Sequence, residues 1–203
     1  MLIWTDSLVC PAIADLAPYS CERIRTSTTT LEDLIPLLID RHRVGKRVVR
    51  LHDGDTALYS AINEQICALS DAEIPVEVVP GISAVNAIAS LVGAPLTHDY
   101  CTISLSDLLT PWPVIERRVV AASQGDFVIA LYNPQSKRRT WQLPKTVELM
   151  LEHGRDPKTP TAIVKSAYRR RQDVVLTTLD DLCNHKIGML TTGRPVKDEK
   201  QLR

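Results

Sequence analysis

Aromatic residues are scarce in this chain: one Phe, three Trp and five Tyr stand among 203 residues. A base-stacking platform for single-stranded nucleic acid needs more ring faces than that. An excess of one charge is missing too, since 24 Lys and Arg balance 24 Asp and Glu. No global field therefore draws the chain to nucleic acid or to an anionic membrane. No apolar run approaches the roughly 20 residues of a membrane-spanning helix. The opening Met1-Leu-Ile-Trp-Thr-Asp6 has neither the basic flank nor the long apolar run of a signal peptide. The expectation is a cytoplasmic protein with no nucleic-acid and no membrane partner. Cys10, Cys21, Cys67, Cys101 and Cys183 are scattered without a Cys-x-x-Cys spacing. That argues against a clustered zinc site and for small apolar fillers in a reducing compartment, so no metal is expected. A Gly-x-Ser-x-Gly elbow and a Gly-x-Gly-x-x-Gly fingerprint are both absent, which sets aside a serine hydrolase and a dinucleotide oxidoreductase. No internal repeat or low-complexity segment occurs.

What is present is an ordinary globular composition, 44% hydrophobic and 24% charged, in a chain long enough to bury a core. Short apolar runs alternate with helical patterns. Strands are expected at Leu2–Trp4, Glu22–Arg25, Val48–Leu51 and Val76–Val79, with a short helix opened by Pro11 and helices over 58–69 and 84–92. Thr30-Leu-Glu-Asp33 has the form of a capping box before a helix carrying Leu31, Leu34, Ile35, Leu38 and Ile39 on one face; Pro36 interrupts it and Gly45 suits its stop. This alternation points to a parallel sheet covered by helices. The second half adds strands at 103–105, 127–132, 161–164 and 174–177, helices over 114–122 and 143–152, and a helical turn at 179–182. A boundary between two α/β lobes is placed within 96–110. It divides the chain into an N-terminal lobe over 1–100, a C-terminal lobe over 101–192 and a polar tail over 193–203.

Four stretches carry chemistry-bearing residues. After the strand at 48–51 comes His52-Asp-Gly-Asp-Thr-Ala-Leu-Tyr59, where Gly54 admits close backbone approach and Asp55 is placed to cap the next helix. Pro80-Gly-Ile-Ser-Ala84 is a second turn at a strand end, with Gly81 in the turn and Ser83 as a helix cap. Open α/β sheets bind ligands at such carboxyl ends. The third stretch, Leu91 to Trp112, holds His98, Asp99, Ser104, Ser106 and Asp107 between apolar residues. The fourth, Ala130-Leu-Tyr-Asn-Pro-Gln-Ser-Lys-Arg-Arg139, ends a strand in a turn and a basic cluster. Each also has a plain structural reading, as turn, cap, loop histidine or solvated basic face.

Together these strings resemble the tetrapyrrole (corrin/porphyrin) methylases of cobalamin (vitamin B12) biosynthesis, over about Leu2 to Leu182. The upstream block, Val48 to Tyr59, is most similar to precorrin-4 C11-methyltransferases. The downstream block, Thr102 to Trp112 with Phe127 to Pro134, is most similar to precorrin-3B C17-methyltransferases. The resemblance implies a class III fold of two α/β lobes with the cofactor cleft between them. It implies S-adenosyl-L-methionine as cofactor, a tetrapyrrole substrate and a homodimer. It also implies cofactor contacts at Asp53, Gly54, Asp55, Tyr59, Gly81, Ser83, Tyr132 and Asn133, substrate contacts at Ser104 and Arg138, and proton handling at His98 and Asp107. C17 methylation of precorrin-3B is the expected reaction, with C11 methylation of precorrin-4 as the alternative. Departures are Thr56 where the family has Pro and Ser60 where it commonly has Gly. The family's first strand with its Gly-rich loop is expected to be missing, and this admits a further reading. The chain would then be a shortened or hybrid, non-catalytic remnant that binds tetrapyrrole or a partner methylase.

Overall fold

The computed structural model describes residues 2–5, 9–26, 29–93, 96, 98–188 and 191–195. The chain divides into two compact units, Met1–Ser83 and Ala84–Arg203.

The first unit is built on three parallel strands, β1 (Leu2–Thr5), β2 (Glu22–Arg25) and β3 (Val48–Leu51), in the order β2-β1-β3. Parallel neighbours require crossovers, and α1 (Pro11–Ala14) and α2 (Leu31–Arg43) lie in those connections. Pro11 occupies the first position of α1, where its missing N–H costs nothing. At α2 the capping residue is Thr30, whose Oγ1 accepts from the Asp33 N–H at 3.2 Å. The Thr30 hydroxyl also donates to Asp33 Oδ2 at 2.8 Å. Leu34 and Leu38, one turn apart, are buried against Ile24, Leu31, Leu37, Val48 and Leu69. Pro36 is carried inside the helix on its exposed side. Gly45, at φ +78°, ends it as expected.

Two expectations fail here for identifiable reasons. The helix anticipated over 58–69 begins only at Ile62, as α3 (Ile62–Asp71), because Tyr59 sits at φ +55°, outside helical space. Val76–Val79 forms no strand among the described residues. The stretch has no ladder partner, and Val76, Val78 and Val79 are 43%, 46% and 69% exposed.

In the second unit, α4 (Ala84–Leu91) precedes a five-stranded sheet. Its strands are β4 (Tyr100–Ser104), β5 (Val128–Tyr132), β6 (Pro160–Lys165), β7 (Asp173–Thr178) and β8 (Thr191–Pro195), in the order β4-β5-β8-β6-β7. Only β4 and β5 are parallel; β8 runs antiparallel to both β5 and β6, and β6 to β7. The sheet is therefore mixed, and Thr191–Pro195 belongs to a central strand although 193–203 reads as a polar tail. Backbone ladder bonds placed it there, with Gly193 opposite Leu131 on one side and Ile163 on the other. Residues 196–203 lie outside the described residues.

Helices α5 (Trp112–Gln124) and α6 (Gln142–Glu152) build the core. Ile115, Val119 and Ala122 on α5, and Leu143, Val147 and Met150 on α6, recur at the helical period. They close over Ile103, Leu105, Ile129 and Leu131. Trp112 and Trp141, at the two helix starts, meet edge to face with ring centroids 4.7 Å apart. Beneath the helix ends lies Arg155, 8% exposed, donating to the Ala122 and Phe127 carbonyls and pairing with Asp126 at 3.0 Å. Burial lowers the pKa of this guanidinium, and the Asp126 charge opposes that shift. Among the described residues no helix is long and apolar enough to cross a membrane.

Candidate functional site

In the first unit the loop after β3 and the loop before Ala84 are joined by one carboxylate. Asp55 Oδ1 accepts from the Ala57 N–H at 2.7 Å, forming an Asx-type turn, while Oδ2 accepts from the Gly81 N–H at 3.1 Å. Asp55 is thus a staple between loops and not a helix cap; α3 starts at Ile62 with no side-chain cap. Glycine at 81 follows from the same closeness, because a Cβ there would stand 2.1 Å from the Gly54 carbonyl oxygen. Gly54 itself has φ +63°, and a Cβ on it would meet only Ser83 Cα and Ile82 O, at 3.7 and 3.8 Å. Ser83 is buried, Asp53 is half-buried, and Tyr59 is 50% exposed in a left-handed conformation that a tyrosine rarely adopts. His52 Nδ1 and Ser60 Oγ hydrogen-bond at 3.2 Å across the same loop. Asp53, Gly54, Asp55, Gly81 and Ser83 are therefore gathered into one tight double loop.

In the second unit the polar candidates collect at the carboxyl ends of β4 and β5, the parallel pair. Tyr132 closes β5, and its hydroxyl accepts the Val85 N–H of the first turn of α4 at 2.9 Å. That satisfies one of the amides a helix start leaves without an intrahelical partner. Asn133 follows at φ +50° and donates from Nδ2 to Ser104 Oγ at 3.1 Å, linking the two strand ends. Asp107 Oδ2 accepts from Gln142 Nε2 at 2.9 Å; Gln142 is 2% exposed. Ser104, Asn133 and Asp107 are thereby brought to one end of the sheet.

His98 is not among them. It is exposed and precedes β4, whereas Asp107 follows it, so the five-residue strand separates the two by about 16 Å at ~3.3 Å per residue. Arg138 is exposed as well. Its neighbour Arg139 is the basic residue built into the cluster, with Nη1 on Ser106 Oγ and Nη2 on the Asn133 carbonyl, both at 3.0 Å. The sequence offered Lys137, Arg138 and Arg139 alike as partners for substrate carboxylates or as a solvated face, and it did not distinguish Arg139 or assign the roles of Ser106 and Gln142. The signal available for Arg139 was Ser136, three residues earlier, whose Oγ accepts the Arg139 N–H at 3.2 Å and closes the turn. Among the described residues no group of three or more His, Cys, Asp or Glu is arranged to hold a metal ion.

The chain is 48% identical over 160 residues to a cobalt-factor III methyltransferase of Priestia megaterium, covering 76% of this chain and 29% of that protein. Of the curated relatives it matches at 40% identity or more, it spans 29–63% of their length. Among solved structures, the methyltransferase CobJ superposes with a TM-score of 0.82 at 28% identity, covering 96% of this chain and 82% of that one. The cobalamin biosynthetic enzyme cobalt precorrin-4 methyltransferase, CbiF, superposes with a TM-score of 0.83 at 27% identity, covering 100% and 84%. Residues 2–183 match the Tetrapyrrole (Corrin/Porphyrin) Methylases. With a fold of mixed helix and strand shared with CobJ and CbiF, the chain belongs to the tetrapyrrole methylase family.

Proposed function

We propose that this chain methylates a corrin precursor in cobalamin biosynthesis, drawing the methyl group from S-adenosyl-L-methionine, and that C17 is the carbon methylated. The observation that carries the reading is the 48% identity to a cobalt-factor III methyltransferase. Backbone likeness does not discriminate, since CobJ and the precorrin-4 enzyme CbiF superpose almost equally well, at TM-scores of 0.82 and 0.83. That near-equality is the reason C11 methylation of precorrin-4 stands as the second reading.

The residues fit such a cofactor. S-Adenosylmethionine, when bound, supplies an activated methyl on a sulfonium, so the protein's task is to align it with a nucleophilic carbon and exclude water. The missing side chain at Gly81 lets the two loops close on each other, which fixes the backbone groups that a ligand would meet there. Both oxygens of Asp55 are occupied by loop amides, which leaves the half-buried Asp53 as the carboxylate to meet ligand hydroxyl or amino groups. On the second unit Tyr132 and Asn133 shape the strand end, and Ser104 and Asp107 face the work of substrate contact and proton handling. His98, at the other end of β4, has no part in this scheme.

Titration calorimetry with S-adenosylhomocysteine tests the cofactor assignment; saturable binding lost in Asp53→Ala is the expected result. Incubation with S-adenosylmethionine and either cobalt-factor III, precorrin-3B or precorrin-4, followed by mass spectrometry, tests the carbon assignment. Methylation of precorrin-4 alone refutes C17. A folded chain that binds neither cofactor nor tetrapyrrole refutes the enzyme reading. A homodimeric, cytoplasmic state is proposed with it, and light scattering on the purified chain checks the dimer.

A further inference from the structure

We propose that Arg139 is a carboxylate-binding residue, held ready by Ser106 and Asn133 at the carboxyl ends of β4 and β5. Its side chain is half-buried and the guanidinium is fixed at two points. Nη1 donates to Ser106 Oγ and Nη2 to the Asn133 carbonyl, each at 3.0 Å, while the backbone is locked by the reciprocal Ser136–Arg139 turn at 3.2 and 2.9 Å. Every one of these partners is neutral. Among the described residues no carboxylate lies within 4 Å of the Arg139 nitrogens, and Asp107, the residue after Ser106, accepts from Gln142.

Arg155 provides the contrast within the same unit. It is more deeply enclosed, and it has the Asp126 carboxylate at 3.0 Å. A charge withdrawn from water without a counter-ion is costly to keep, and proteins retain one where a ligand supplies the opposite charge. The hydrogen-bond inventory agrees. A guanidinium carries five N–H groups; the side-chain bonds here use two. Nε is enclosed and without a partner, as is that of Arg155. That leaves one N–H on each Nη, and two N–H groups on a planar fork are enough for a bidentate grip on a carboxylate.

This inference rests on the proposed function for the source of the carboxylate, and two sources share the chemistry. One is the amino-acid end of the cofactor; the other is an acetate or propionate arm of the tetrapyrrole. The full chain is titrated calorimetrically with S-adenosylhomocysteine and with 5′-methylthioadenosine, which lacks the amino-acid carboxylate. Binding of uroporphyrin, an octacarboxylate tetrapyrrole, is followed by fluorescence. Arg139→Gln is compared with wild type, with Arg139→Lys and with Arg117→Gln, an exposed arginine on α5.

We expect Arg139→Gln to weaken one carboxylate probe by about tenfold or more, with Arg139→Lys intermediate and Arg117→Gln unchanged. Loss confined to S-adenosylhomocysteine, with methylthioadenosine unaffected, supports the cofactor carboxylate. Loss confined to uroporphyrin supports the substrate arm. Should Arg139→Gln fail to fold, Ser106→Ala decides, since it frees Nη1 while keeping the charge. A several-fold loss for a carboxylate probe with no loss for methylthioadenosine supports the site. Wild-type binding of the probes that Arg139→Gln and Ser106→Ala leave within twofold overturns this inference alone. Absence of binding by wild type overturns the functional reading and this inference with it.

Discussion

Gly81→Ala tests whether the double loop of the first unit is held as tightly as its geometry requires. The added Cβ would lie 2.1 Å from the Gly54 carbonyl oxygen, 3.1 Å from its carbon and 3.4 Å from Asp55 Cα. All three are backbone atoms, so no rotamer change relieves the clash. The loops must part by about 1.3 Å before the oxygen reaches the 3.4 Å at which ordinary contact begins. An opening of that size carries the 3.1 Å bond from the Gly81 N–H to Asp55 Oδ2 out of hydrogen-bonding range. A bond to a charged acceptor contributes about 1.5–3 kcal/mol, and residual strain brings the expected loss to roughly 2–4 kcal/mol. Gly54→Ala is the internal comparison. There the space is adequate, at 3.7 Å or more, and the cost is the left-handed backbone alone, about 1–2 kcal/mol. Urea unfolding followed by far-ultraviolet circular dichroism measures both, and calorimetry with S-adenosylhomocysteine measures the effect on ligand binding. Gly81→Ala should be the more damaging variant in both assays. If it costs less than Gly54→Ala, or binds the ligand within twofold of wild type, the stapled-loop account is wrong.

Three other outcomes are expected in the second unit. Arg155→Met strips the buried Ala122 and Phe127 carbonyls of a donor and removes the ion pair to the half-exposed Asp126, a loss of about 2–4 kcal/mol that thermal unfolding detects. Tyr132→Phe removes the acceptor of the Val85 amide, costing about 1–2 kcal/mol and speeding hydrogen exchange in the first turn of α4. Asp181 accepts from Asn184, Thr177 and His185, and these bonds hold its carboxyl at a pKa of about 2. A depressed folded pKa means that the contribution is complete above the ordinary value of 3.8 and is lost as pH falls from there towards about 2. In Asp181→Asn, unfolding followed across that interval should show a shallower acid limb than wild type, and an unchanged limb would rule out Asp181 as its source.

Much of the fold was legible because its signals are local. The Thr30–Asp33 capping pattern, Pro11 at a helix start and Gly45 at a helix end each act within one turn of chain, and each does in the structure what its chemistry anticipates. The failures all depend on distant neighbours. Val76-Glu-Val-Val79 has a strand's composition, but a strand exists only where another lends its ladder, and no property of those four residues reports that. Gly193 and its neighbours look like a tail, yet the gap between β5 and β6 accepts them, because backbone pairing makes no demand on apolar side chains. Tyr59 shows the reverse case, a local pattern that continues a helix overruled by a loop that needs a left-handed residue.

The candidate site divides along the same line. Strand-end position was readable for Asp55 after β3, Ser104 on β4, and Tyr132 and Asn133 at the end of β5, whereas Gly81 follows a stretch that forms no strand among the described residues. What each of them does there was not readable, since that depends on which hydrogen bonds are already taken. Asp55 spends both oxygens on backbone amides and Tyr132 its hydroxyl on the start of α4, so these residues first shape the site. Lys137, Arg138 and Arg139 are alike in sequence, and only the bend at Asn133 distinguishes them. The left-handed turn after β5 presents the Asn133 carbonyl to Arg139, and the Ser136 turn holds that residue in place while Lys137 and Arg138 stay in solvent. Of the three charges, Arg139 is the one partly removed from water, and among the described residues no carboxylate forms a salt bridge with it. An arginine in that state is the residue to which a polycarboxylate ligand would add most.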